Sequence, residues 1–283
     1  MLLLTTYNRM IRYLAGEGDA NLSDTHYNKR DILTQITTVS KNIEEYLDRD
    51  LLSGSKTEYF DVGYNQLMYY VKSPLISAVT SVHEDFSGLF DGSESEITNE
   101  DYIINKDNNG VRLLQSIEYI ADKALKIVYT GGLASHCARS TFVLSALTGS
   151  GTIVGSYLIG GTSLAVGKII SYLSTSYVVE VLYGIFETGE SIVVNASEDG
   201  STSNLYTGSI VSKSSTALCE SYPDIVAAAE IEIRFRKKHK HDYENSSTNK
   251  ESTSRSVPVL YSANCGLQPE TIGLLRPYKR YLS

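Results

Sequence analysis

The run STFVLSALTGSGTIVGSYLIGGTSLAVG, residues 140–167, contains no charged side chain, and it decides how the chain is divided. Six of its residues are glycine and nine are serine or threonine. Its length would suit a helix that crosses a bilayer, but a lipid-facing helix would be far more apolar. The run therefore predicts short strands separated by glycine turns.

The same composition extends over residues 132–220, which are rich in Gly, Ser, Thr, Val and Tyr. The candidate strands of this block are Thr141–Leu144, Thr152–Leu158, Ser163–Ile170, Tyr177–Phe186, Ser191–Val194 and Leu205–Val211. Short strands at this spacing are typical of a small barrel or a sandwich. The block interrupts a charged, mixed segment and a helical, basic one, so the sequence predicts three parts: 1–131, an inserted domain 132–220, and 221–283.

The bulk composition is that of a globular protein. The chain has 283 residues, of which 42% are hydrophobic, and this allows a sizeable core. The net charge of −8 argues against a general nucleic-acid binder. There are 21 tyrosines and no tryptophan, a composition that suits half-buried strands and contact surfaces.

Helices are expected near both ends of the chain. The spacing of Tyr7, Met10, Ile11 and Leu14 predicts a short amphipathic helix. A second helix is expected from an N-cap at Asp24 to about Asp50, with an apolar face of Ile32, Ile36, Val39, Ile43 and Leu47. A third begins at Pro223, and a polar loop follows at Asn245–Ser256.

Between these helices the sequence predicts strands. The expected strands are a hairpin of Thr57–Val62 with Leu67–Val71, then Ala78–Glu84, a hairpin of Tyr102–Asn105 with Val111–Leu114, and Leu125–Thr130. The turn Asp107–Gly110 joins the second hairpin. The acidic segment Asp85–Glu96 has poor spacing for a calcium loop, so a solvated hairpin loop is expected there.

The order of these elements resembles a known family, the head–tail adaptor (connector) proteins of tailed bacteriophages. The residues that carry the resemblance are IEEYLDRDL (43–51), TEYFDV (57–62), YYVKSPLISAVTSV (69–82), YII (102–104), GVRL (110–113), KIVYTGG (126–132) and LLRPYKR (274–280). In relatives, a helix that begins with Pro and an acidic residue follows the KIVYTGG strand after a short loop. Here Pro223-Asp224 comes only after the block 132–220, whose role the family does not supply.

The resemblance implies a non-enzymatic virion protein. Such adaptors form a ring, usually a 12-mer, beneath the portal. Their C-terminal parts contact the portal, their lower face receives the next neck or tail-completion protein, and DNA passes through the lumen without sequence specificity. We therefore expect an α+β fold, with a helical bundle core, β-hairpin embellishments and an inserted all-β domain. We also expect the virion neck as the location, after assembly in the host cytoplasm, and no membrane partner.

The basic residues are the candidate contact site. The expected contacts to the portal or to DNA in the lumen are Arg234, Arg236, Lys237, Lys238, Lys240, Arg276, Lys279 and Arg280. A solvated helix end is the alternative for the run from Arg234 to His241. No catalytic, cofactor or metal residues are assigned, because no catalytic constellation is evident.

Two further interpretations stay open for the block 132–220. Cys137 and Cys219 lie near its two ends and are expected to be close in space. Buried thiols, a disulfide, or a zinc site that includes His136 would each fit such a pair. The block could also bind carbohydrate or a host surface through tyrosines such as Tyr172, Tyr177 and Tyr183, although tyrosines at these positions are typical of sheet packing.

Overall fold

The computed structural model describes residues 2–16, 28–106, 109–246 and 266–279. The contacts group the chain into two compact units. The first unit is Asp48–Ser135, and the second combines Leu2–Leu47 with His136–Ser283. The predicted division into an interrupted core, 1–131 and 221–283, and an inserted domain, 132–220, stays a prediction.

The first unit consists of two antiparallel sheets. Its strands are β1 (Gly54–Val62), β2 (Met68–Tyr70), β3 (Ala78–Glu84), β4 (Ser95–Ile97), β5 (Tyr102–Asn105), β6 (Gly110–Leu113) and β7 (Ala121–Gly131). The larger sheet has the order β1-β7-β3-β4, and the smaller has the order β2-β6-β5. Their buried side chains form one core, in which Val82 and Ile127 of the larger sheet meet Tyr69 and Val111 of the smaller.

The pairing corrects one predicted hairpin. β1 and β2 do not pair with each other; β1 pairs with β7, and β2 pairs with β6. The alternation in each strand was visible in the sequence, but each strand pairs with a partner that lies much later in the chain, as in Gly54↔Gly131 and Met68↔Arg112. The hairpin of β5 with β6 is confirmed, although two residues of its turn, 107 and 108, lie outside the described residues.

The helices all lie in the second unit. They are α1 (Tyr7–Gly16), α2 (Lys29–Leu47), α3 (Leu218–Ser221), α4 (Pro223–Ser246) and α5 (Pro269–Leu275), with a 3₁₀ turn at Arg276–Tyr278. The predicted apolar face of α2 is confirmed, because all five of its residues are buried. The predicted N-cap at Asp24 lies outside the described residues. The side chain of Asn28 accepts the backbone N–H of Arg30 at 3.0 Å and thereby caps the described start of α2.

The block after β7 folds into a closed barrel. Its strands are β8 (Arg139–Leu144), β9 (Thr148–Gly149), β10 (Tyr157–Gly160), β11 (Val166–Leu173), β12 (Ser176–Tyr183), β13 (Ser191–Asn195) and β14 (Asn204–Ser215). Six of them pair in the order β13-β10-β11-β12-β8-β14, and β14 pairs with β13 to close the ring of strands. Burial alternates along β8, where Ser140, Phe142 and Leu144 point inward.

The interior of the barrel is filled by apolar side chains. Phe142 and Phe186 meet edge to face with ring centroids 5.1 Å apart, and both are buried. Leu158, Ile169 and Val179 from three further strands are fully buried. Of the two alternatives, barrel and sandwich, the structure shows the barrel.

The expected fold class is wrong. Strands account for 37% of the residues and helices for 24%, and there is no helical bundle core among the described residues. The apolar face of α2 is buried in full, and that of α1 in part, but these faces do not form a helical bundle core. α2 packs on α4, and α4 packs on α5, while most of the buried apolar surface comes from two sheets and a barrel. The structure is mostly β. Within the described ranges, no helix is both long and apolar enough to cross a membrane.

Candidate functional site

A buried carboxylate on α4 holds the C-terminal segment in place. Glu232 is fully buried. One of its oxygens accepts the backbone N–H of Gln268 and the hydroxyl of Thr271, each at 3.0 Å, and the other accepts Nε of Arg236 at 2.9 Å. Arg236 also donates to the carbonyl of Gly266 at 2.9 Å. These contacts fix the start of α5 against the middle of α4.

The basic run on α4 is therefore partly occupied by contacts inside the chain. Arg236 belongs to the Glu232 cluster, and Lys237 forms an ion pair with Asp31 of α2. Arg234 is half-buried. The side chains of Lys238 and Lys240, and the whole of Arg280, lie outside the described residues. The described part of the run ties helices together.

The remaining predicted contact residues are Arg276 and Lys279, which lie on either side of Tyr278. We call Arg276, Tyr278 and Lys279 the C-terminal face. Arg276 is exposed. The ammonium of Lys279 lies 4.3 Å from the ring centroid of Tyr46, a cation–π contact. The hydroxyl of Tyr278 donates to Asp224 at 3.3 Å, and this bond connects the turn to the start of α4. The structure thus brings two predicted residues, Arg276 and Lys279, onto one turn.

The two ends of the barrel segment meet, as predicted. The backbone N–H of Leu218 donates to the carbonyl of His136 at 3.1 Å, and the N–H of Cys219 donates to the carbonyl of Cys137 at 2.9 Å. We call Cys137 and Cys219 the paired cysteines. Both are buried free thiols. Burial raises the pKa of Cys137 to about 12 and that of Cys219 to about 11, so both are protonated at neutral pH.

His136 has a local role beside them. Its Nδ1 accepts the backbone N–H groups of Ala138 at 3.1 Å and Arg139 at 3.2 Å. Burial lowers its pKa, and the neighbouring Arg139 acts in the same direction. The described residues contain no group of three or more His, Cys, Asp or Glu side chains that could hold a metal ion. Of the three interpretations for this pair, the structure shows buried thiols.

The acidic segment of the first unit is a structured hairpin loop between β3 and β4. Asp85 accepts the backbone N–H groups of Ser87 at 2.8 Å and Phe90 at 2.7 Å, and these bonds lower the pKa of its carboxyl. The ammonium of Lys126 contacts Glu94 at 2.8 Å and lies 4.8 Å from the ring centroid of Phe90. The sequence predicted the loop but missed β4, because three residues with two polar members carry no clear strand signal.

Two tyrosines of the barrel form an exposed aromatic step. The rings of Tyr172 and Tyr177 stack with centroids 5.4 Å apart and an interplanar angle of 13°. Tyr177 is buried, whereas Tyr172 is about half exposed, as is Tyr183. Leu173, at the tip of the same hairpin, is 82% exposed. Tyr177 therefore packs in the sheet, as expected, while Tyr172 offers one ring face to solvent.

The residues that sequence reasoning missed are the buried glutamates of the second unit: Glu180, Glu190, Glu220, Glu230 and Glu232. Each is satisfied by donors from distant segments. Glu220, for example, accepts from Ser140, from the backbone of Phe186 and from Lys213. A glutamate inside an apolar stripe, such as Glu232 beside Ile233, is the one signal in the sequence that could have marked them. Their hydrogen bonds and ion pairs hold distant segments of the chain together.

The comparisons with known proteins add no family. No protein-family model matches the chain, and no curated protein matches it at a significant level.

Proposed function

We propose that this protein is a structural virion component, an adaptor that forms a ring beneath the portal and joins the capsid to the tail. The observation that carries the proposal is the meeting of the two ends of the barrel segment at His136–Leu218 and Cys137–Cys219. Because these ends are in hydrogen-bond contact, the connection from β7 to α4 would close over a short loop if the barrel were absent. That is the order of elements in the adaptor family which the sequence resembles.

The C-terminal face supports a contact with the portal. Arg276 projects into solvent from a turn whose neighbours Tyr278 and Lys279 are held by Asp224 and Tyr46. A cation carried on a fixed turn needs no ordering of the backbone when it binds an acidic partner. The net charge of −8 disfavours tight binding to DNA phosphates, and this suits a ring through which DNA must slide.

The direct test is structural. Cryo-electron microscopy of purified particles should show this chain as a ring between the portal and the next neck or tail-completion protein, in the virion neck. Absence of the chain from purified particles would refute the proposal.

A binding test addresses the portal contact. The variant Arg276→Glu should weaken binding to the isolated portal at least tenfold in a salt-dependent manner. The control is Arg112→Glu, which reverses an exposed arginine on β6. Equal binding by both variants would show that the C-terminal face does not contact the portal.

A second function is favoured by the aromatic step on the barrel, namely binding of carbohydrate or of a host surface. An exposed tyrosine face stacks on sugar rings, and Tyr172 is preorganised by its contact with Tyr177. A glycan array probed with the full chain and with Tyr172→Ala tests this function. Tyr64→Ala, which removes a tyrosine that is 82% exposed in the first unit, is the matched control.

A further inference from the structure

The larger sheet of the first unit has two open edges. Its order is β1-β7-β3-β4, and among the described residues no further strand pairs with the outer side of β1 or of β4. The open edge of a strand presents backbone N–H and C=O groups that can pair with another chain. The two edges lie on opposite sides of one sheet.

The edge of β1 is long and regular. Its pairing with β7 runs without interruption from Gly54↔Gly131 to Phe60↔Leu125, and a register shift follows only after Phe60. Ser55, Thr57 and Tyr59 point away from the core and are exposed. The stretch from Gly54 to Phe60 is therefore a straight template for a partner strand. On β4, Ser95 and Glu96 are exposed.

Strand direction selects the partner. Every neighbouring pair in this sheet is antiparallel, and the sheet has four strands, so β1 and β4 run in opposite directions. If a second copy is generated by rotation about an axis along the strands, its β4 lies antiparallel to β1 of the first. The smaller sheet has three strands, and the same operation would give parallel pairing of β5 with β2, which is slightly less stable.

We propose that β1 of one copy pairs with β4 of the next copy, which joins the four-stranded sheets head to tail around the ring. This inference rests on the proposed function, because the ring is part of that function. A heterologous contact of this kind forms a ring when the rotation between successive copies closes, whereas pairing of β1 with β1 across a two-fold axis would stop at a dimer.

The register follows from the faces of the sheet. Tyr59, Lys126, His83 and Glu96 are successive cross-strand partners, so Glu96 lies on the same face as Tyr59 and Thr57. If the sheets of two copies join, residues that pair across the contact lie on the same face of the combined sheet. Glu96 of one copy therefore lies opposite an outward residue of β1 in the next copy, and Thr57 is at the centre of the regular edge.

Disulfide trapping in the full-length protein tests the contact. The background replaces all three native cysteines by alanine, and its circular dichroism spectrum is compared with that of the unmodified protein. The test variant combines Thr57→Cys with Glu96→Cys, and oxidation by molecular oxygen with a copper catalyst is followed on a non-reducing gel. We expect a ladder of covalent oligomers up to the size of the ring, formed at least tenfold faster than in the control with Arg112→Cys and Glu96→Cys. Ser55→Cys and Tyr59→Cys, each with Glu96→Cys, check the register.

The outcomes separate the inference from the function. Rings that bind the portal but give no ladder in any of the three registers would overturn the β1–β4 contact and leave the proposed function standing. Rapid dimers from Thr57→Cys alone, without larger species, would overturn it in favour of two-fold pairing. A protein that forms neither rings nor a complex with the portal would overturn the proposed function and the inference together.

Discussion

Replacement of Glu232 by glutamine should destabilise the second unit strongly, although it changes neither the size nor the shape of the side chain. Glu232 is fully buried, and it accepts from Arg236, the backbone of Gln268 and Thr271 at 2.9–3.0 Å. An amide can still accept from two of these donors, but its own NH₂ group would then face the guanidinium. The variant therefore replaces a charge-assisted contact by two opposed donors.

The magnitude follows from the strength of these contacts. Hydrogen bonds to a charged group contribute about 1.5–3 kcal/mol each, against about 1 kcal/mol for neutral ones. The guanidinium side of the pair is 22% exposed, so solvent screens part of the loss. We expect Glu232→Gln to lower the free energy of unfolding by about 2–4 kcal/mol, roughly a 30- to 1,000-fold change in the unfolding equilibrium constant.

The assay is urea denaturation of the full chain, combined with hydrogen exchange of the amides in α5. Exchange in Pro269–Leu275 should accelerate, because the bonds to Glu232 fix the start of that helix. The control is Glu45→Gln, which removes an exposed partner of Lys41 on α2 and should cost less than about 0.5 kcal/mol. If the two variants lose the same stability, the Glu232 cluster does not hold the C-terminal segment and the reasoning is refuted.

Three further outcomes are expected. The ammonium of Lys126 is the main cause that holds the pKa of Glu94 at about 2, so the stabilisation from this pair is present above the ordinary pKa of glutamic acid and is lost as the pH falls towards 2. In Lys126→Met, an NMR titration should show the Glu94 pKa rise towards its ordinary range, while the backbone N–H groups of Gly92 and Glu94 still lower it; an unchanged value would contradict the assignment. The paired cysteines should resist iodoacetamide at pH 8 in the native protein and react once urea unfolds it, as followed by mass spectrometry; equal rates in both states would exclude burial. Gly132 has φ +113°, and Gly132→Ala would place a Cβ 2.4 Å from the backbone carbonyl oxygen of Leu52. The variant should lower the free energy of unfolding by about 1–3 kcal/mol in denaturation experiments, whereas the control Gly54→Ala, whose Cβ would meet no atom within 4 Å, should be nearly neutral.

Local patterns were predicted well, because they depend on neighbours in the chain. The five apolar positions of α2 all proved buried, and the candidate strands of the first unit correspond to β1, β2, β3, β5, β6 and β7. The strands of the barrel were placed less accurately. The candidate Thr152–Leu158 precedes the observed β10 at Tyr157–Gly160, because apolar Ile153 and Val154 lie in the connection between strands.

The candidate contact residues show the limit of charge patterning. The run from Arg234 to His241 predicted a contact surface or a solvated helix end, but Arg236 and Lys237 are engaged by Glu232 and Asp31. Asp31 lies more than two hundred positions earlier in the chain, so no local pattern could reveal the pairing. Arg276 has the same charge as Arg236, yet it is exposed, whereas Arg236 is partly buried.

The sequence by itself predicted a β-rich block at residues 132–220, since composition and charge change abruptly there, and the strands of the barrel, from Arg139 to Ser215, lie within it. The expectation that the paired cysteines near its ends lie close together is confirmed. Only the tertiary structure decided that the block closes into a six-stranded barrel and that the protein is mostly β. Closure depends on the pairing of β13 with β14 and of β12 with β8, and the alternation of side chains in one strand is the same for every partner. Burial of apolar side chains from all six strands in one interior selects the partners, and that is a property of the whole fold.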